Sequence, residues 1–76
     1  MIVDLHHIQI AIPKNQEETA RAFYGGILGF SEVVKPVELG GRGGVWFEAQ
    51  HVRLHLGVED PFTPAKKAHP GFRVNS

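Results

Sequence analysis

From His7 to Pro13 the chain reads His-Ile-Gln-Ile-Ala-Ile-Pro, with apolar and polar positions in strict alternation. Ile8, Ile10 and Ile12 fall on one side; His7, Gln9 and Ala11 fall on the other. A period of two with β-branched residues predicts a half-buried strand. Pro13 ends it, because proline has no N–H to give to a ladder. The isoleucine side requires a core. The opposite side carries an imidazole and an amide, so this strand is expected to form one wall of a ligand cavity, with His7 pointing into it.

The period then lengthens. Asn15 and Glu18 have capping-box spacing, and Glu17 and Glu18 complement the positive end of a helix dipole. Ala20, Phe23, Tyr24, Ile27 and Leu28 recur as an amphipathic stripe, which predicts a helix to about Leu28 with Phe23, Tyr24 and Phe30 in the core. Gly25 and Gly26 weaken the last turn and are expected to let the helix approach the sheet; Gly29 is a natural left-handed stop. A second strand is expected over 30–37, ended or bulged at Pro36. The glycines over 40–44 predict a flexible loop around Arg42. A third strand follows over about 44–48, with Val45 and Phe47 on one face and Trp46 and Glu48 on the other. Residues 49–51 make a hairpin connection. The fourth strand, 52–58, turns Val52, Leu54, Leu56 and Val58 to the core and Arg53, His55 and Gly57 away from it. Prolines 61 and 64 mark a loop, residues 65–68 are exposed and basic, and 69–74 has the look of a fifth strand's beginning.

The order β-α-β-β-β-(β) defines an α+β class with two layers, a helix on one sheet face and the other face bare. His7, Gln9, Arg53 and His55 project from the bare face. With 76 residues the chain is one domain or less, and 42% hydrophobic with 21% charged residues is ordinary for a globular protein. Eight basic and eight acidic residues cancel, and no basic stripe with interleaved aromatics offers a nucleic-acid surface. No apolar run is long enough to span a membrane. No secretory signal is visible, and a cytoplasmic location is expected. Cysteine is absent, which removes disulfides and thiolate–zinc sites and leaves stability to the core or to a partner chain.

Five histidines are many for this length. His7, His55 and His69 are three neutral-imidazole donors; such a set suits divalent zinc, iron, nickel or manganese, or the three are simply surface histidines. His6 has the phase opposite to His7 and is expected to be structural or exposed, and His51 sits at a hairpin tip. Gln9 can hydrogen-bond a ligand or a neighbouring backbone group. Arg53 can hold an anion by paired hydrogen bonds or face solvent. Trp46 can stack on a ligand or pack at an interface, and Glu48 shares its face. The 40–44 loop lacks the Gly-Lys-Ser/Thr ending of a phosphate loop.

His7-Ile-Gln-Ile-Ala-Ile-Pro13, Ala22-Phe-Tyr24, Leu28-Gly-Phe30, Val45-Trp-Phe-Glu48, Leu54-His-Leu-Gly57 and Ala68-His-Pro-Gly-Phe72 together resemble the vicinal oxygen chelate superfamily. That group includes glyoxalases, bleomycin-resistance proteins and extradiol dioxygenases. The resemblance covers nearly all of residues 1–76, which amount to a little over half of a family domain. It implies one β-α-β-β-β module plus the first strand of a second, completed by a homodimer or higher assembly or lost by truncation. It also implies a metal on His7, His55 and His69, although glyoxalases often place Glu where His55 stands and no fourth ligand is present. Gln9, Trp46 and Arg53 would contact substrate. The function implied is a metalloprotein that binds a small oxygen-chelating substrate, with lyase or dioxygenase chemistry. The alternatives are a metal-free module that sequesters a drug-like small molecule, and a truncated inactive relic.

Overall fold

The computed structural model describes residues 1–75. The chain runs β1 (Ile8–Ile12), α1 (Glu17–Ala20) continuing as a π-helical segment (Arg21–Ile27), β2 (Ser31–Val33), a 3-10 turn (Val37–Arg42), β3 (Val45–Ala49) and β4 (Val52–Val58). The four strands form one mixed sheet in the order β1-β4-β3-β2. β4 lies antiparallel to β3 and parallel to β1, with Gln9 opposite His55 and Trp46 opposite His55 on its other side. The helical layer covers one face of this sheet. This is the two-layer α+β module that the residue pattern implies.

The apolar layer is set by strand phase. Val45, Phe47, Leu54 and Leu56 are fully buried beneath the helix, joined by Ile12 and Ala20. Ile8, Ile10, Tyr24, Phe30, Val58 and Phe72 pack around them. Burying one such aliphatic or aromatic side chain stabilises by about 1.5–3 kcal/mol, so these few residues carry much of the fold. The rings of Tyr24 and Phe30 lie 5.9 and 6.1 Å from Phe47, and Phe72 lies 5.8 Å from Phe30.

Several local expectations are corrected. Phe23 is 45% exposed and Ile27 is more exposed still. The cause is the helix itself: Leu28 N–H reaches back to Phe23 O and Phe30 N–H to Tyr24 O. These wide turns break the 3.6-residue phase on which the stripe was drawn. Tyr24 stays against the core while Phe23 turns outward. Nor is Gly25 needed for close approach, since a Cβ there would meet Phe47 at an ordinary 3.9 Å. The capping box does not form. Asn15 adopts a left-handed φ of 63°, a conformation asparagine tolerates, and Gln16 becomes the N-cap without a side-chain bond. Glu18 pairs with Arg21 instead.

β2 is shorter than 30–37, because only Ser31, Glu32 and Val33 find partners on β3; beyond them Val34 and Val37 are exposed. The glycine loop is partly ordered as the 3-10 turn, and the chain then enters β3 through Gly43 and Gly44, both with positive φ. A Cβ on Gly44 would lie 2.2 Å from Leu56 O, so only glycine permits β3 to close on β4 there. Glu17 accepts the Gly44 N–H at 3.0 Å and ties this entry to the start of α1. That bond holds the Glu17 carboxyl below its ordinary value. Residues 69–74 form no strand.

Candidate functional site

The sheet face away from the helix carries a ladder of rings. Trp46 on β3, His55 on β4 and His7 just before β1 stand side by side across three neighbouring strands. Trp46 and His55 are stacked with centroids 3.7 Å apart and planes 2° apart. His55 and His7 follow at 4.3 Å and 17°. The alternation explains it: Trp46 and His55 are register partners whose flanking residues, Val45, Phe47, Leu54 and Leu56, are committed to the core. Packing between the two flat neighbours leaves His55 only 7% exposed.

These rings form part of the wall of a cleft of about 550 Å³, whose lining also includes Gln9, Glu48, Arg53 and Leu39. Gln9 lies across the face, close enough that a Cβ on Gly57 would meet its Nε2 at 2.9 Å. Arg53 Nη1 donates to His6 O at 3.3 Å. Burial pushes the His55 pKa down, and the neighbouring imidazoles of His7 and His6 push in the same direction; Glu48 opposes them. His55 is therefore a neutral imidazole at neutral pH, the form that donates a lone pair.

His6 belongs to this cluster although strand phase assigns it to the other face. Its ring packs edge-on against His7, with the two Nδ1 atoms 3.0 Å apart. Alternation fails as a guide here because His6 precedes β1, in irregular chain where the period of two does not apply.

His69 lies elsewhere. It lines a separate cavity of about 570 Å³ beside the outer edge of β1, together with Gln9, Phe62 and Pro70. Its Nδ1–H donates to Lys67 O at 2.8 Å. Among the described residues no three histidine, aspartate or glutamate side chains are grouped to hold a metal ion. The chain thus brings His7 and His55 together and leaves His69 apart.

The imidazoles of His7, just before β1, and His55, on β4, amount to two of the four donors that a tetrahedral centre would need. Each lone pair lies in its own ring plane. Planes only 17° apart do not converge on one ion as they stand. His7 is exposed, at the end of irregular chain, and its Nδ1 lies 3.0 Å from His6 Nδ1.

No family model and no curated protein matches the chain. Among solved structures it is similar to a crystal structure from Bacillus anthracis that is provisionally assigned to the glyoxalase family. The two share 49% sequence identity with a TM-score of 0.91 over 99% of this chain. The chain spans 62% of that protein's length. The fold is therefore glyoxalase-like. No helix among the described residues is long and apolar enough to cross a membrane.

Proposed function

We propose that the chain forms one wall of a glyoxalase-like cup for a small oxygen-bearing ligand. In this reading His7 and His55 supply two donors to a divalent metal, which is zinc, iron, nickel or manganese. The remaining ligands come from a second copy of the chain, with His69 among them. The observation that carries the reading is the pairing of two imidazoles on the uncovered sheet face, one of them kept neutral by burial. The glyoxalase-like fold supports it. A free β1 edge and an uncovered sheet face are surfaces that a second copy would cover.

Such a metal would act as a Lewis acid on adjacent ligand oxygens. The chain's own residues would orient that ligand. Gln9 offers an amide across the floor, Arg53 offers a guanidinium for an anionic oxygen, and Trp46 offers an apolar edge.

Zinc calorimetry on metal-stripped protein tests the reading. One zinc per chain is expected, with affinity reduced at least tenfold by His7→Ala, His55→Ala or His69→Ala. Because each site would draw His55 from one copy and His69 from the other, mixing the H55A and H69A variants should regain zinc in part. Unchanged zinc binding in a His7→Ala/His55→Ala double variant would overturn the proposal.

A further inference from the structure

One part of the bare sheet face is almost free of side chains. Gly57 on β4 is the register partner of Ala11 on β1. On its other side a Cβ added to Gly44 would come within 3.5 Å of Gly57 Cα. Gly57 has no positive φ, so its backbone would accept a side chain. The space above it is what a side chain would take, since a Cβ there would meet Gln9 Nε2 at 2.9 Å. The result is a hollow of about 190 Å³ over Gly57, with Gln9, Lys35, Leu39, Arg42 and Trp46 in its walls.

The lining of this hollow carries two cations and no carboxylate. Among the described residues the ion pairs are those of Arg21 with Glu18 and Glu32, so Lys35 and Arg42 have no carboxylate partner there. Glu17 comes close to Gly43, yet its carboxylate accepts from Gly44 N–H and pairs with neither cation. Lys35 Nζ donates to Gly43 O, which occupies one of an ammonium's three donors and anchors the charge beside the floor. Size decides what fits. A whole ligand pocket holds about 300–1,000 Å³, so the hollow suits one end of a ligand. Gln9, Leu39 and Trp46 also line the cleft of about 550 Å³, which adjoins it and has room for the rest.

We propose that this hollow binds the carboxylate of a small organic acid, with Arg42, Lys35 and the Gln9 amide as donors and the acid's apolar body against Leu39 and Trp46. The inference rests on the reading of this face as a ligand cup and names the class of its ligand. It needs no metal. A carboxylate accepts from a guanidinium and an ammonium in charge-assisted bonds, and the glycine floor lets it sit low between them.

The test is a titration with phenylacetate, in EDTA throughout, followed by amide and indole N–H resonances. Saturable shifts are expected at Gly43, Gly57 and the Trp46 indole. Phenylacetamide, which has the same shape without the charge, should bind about tenfold more weakly, and Arg42→Gln should weaken phenylacetate by about the same factor, the lower end of what losing a charged hydrogen-bond partner costs. Gly57→Ala should also weaken it, by filling the floor and displacing Gln9. The atom it meets is the end of a flexible side chain, so the fold should hold, and R42Q at an exposed position gives a second route should it not. Inorganic phosphate should compete poorly. Equal binding of phenylacetate and phenylacetamide would overturn the proposal, as would unchanged affinity in R42Q, shifts confined to other residues, or competition by phosphate as strong as by phenylacetate itself. Zinc calorimetry decides the proposed metal separately, since a chain that binds no zinc can still take phenylacetate here.

Discussion

Gly44→Ala is the substitution whose cost can be worked most directly. Gly44 has φ of +88°, and a Cβ placed on it would lie 2.2 Å from Leu56 O and 3.3 Å from the Leu56 carbonyl carbon. The left-handed conformation alone costs a residue with a Cβ about 1–2 kcal/mol. The clash is with backbone rather than with a flexible side chain, so β3 must move off β4; forced overpacking of this kind adds about 1–3 kcal/mol. The sum is roughly 2–5 kcal/mol. A chain of this length has roughly 4–11 kcal/mol in total, at about 0.05–0.15 kcal/mol per residue. Gly44→Ala should therefore remove a large share of the stability, and what remains should be lost first at the β3 entry that places Trp46. Urea unfolding followed by circular dichroism reads this directly, as a midpoint lowered by about 2–5 M if the slope is about 1 kcal/mol/M. Gly26→Ala is the matched control. Nothing lies within 4 Å of a Cβ there, and alanine should gain up to about 1 kcal/mol. A Gly44→Ala protein within 1 kcal/mol of the parent would refute the argument that glycine is required at this crossing.

Glu17→Gln should lower stability by about 1 kcal/mol at neutral pH by weakening the bond to Gly44 N–H. Since the folded pKa of Glu17 is depressed, the parent's advantage should be present above the ordinary carboxylate range and vanish as pH falls through the folded value; urea midpoints at pH 7 and pH 3 measure it. His55 is a base with a depressed folded pKa, so the unfolded chain takes up its proton first. Its contribution to stability should be full above about pH 6.5, the ordinary imidazole value, and decline as pH falls below that; His55→Phe should flatten this part of the urea-midpoint profile. Leu54→Ala, at a position with no exposure, should cost about 2–5 kcal/mol, whereas Phe23→Gln at an exposed helix position should cost far less, as thermal melts will show.

Much of the architecture was legible because strands report their faces two residues at a time. Val45, Phe47, Leu54 and Leu56 are buried as the alternation requires, and His7 and His55 meet on the face that the aliphatic residues avoid. What failed did so for local reasons. The helical stripe assumed an α-helix, and the π-helical segment turned Phe23 outward. Asn15 used its tolerance of positive φ to make a turn instead of a cap. The strand expected over 30–37 and the loop expected over 40–44 give way to a 3-10 turn, which Leu39 N–H closes on Pro36 O. His6 is exposed, as expected, but its edge-on packing against His7 lies in irregular chain before β1, where alternation says nothing. The stack of Trp46 on His55 was not legible either, since register between two strands is fixed by the whole hairpin and no short motif encodes it.

A zinc-loaded crystal of this chain, with the ion located by its anomalous scattering, tests the central claim most directly. The account predicts one peak on the uncovered sheet face, within about 2.0–2.1 Å of a nitrogen of both His55 and His7. A peak placed away from both imidazoles, or an ion held by His69 without them, would contradict it.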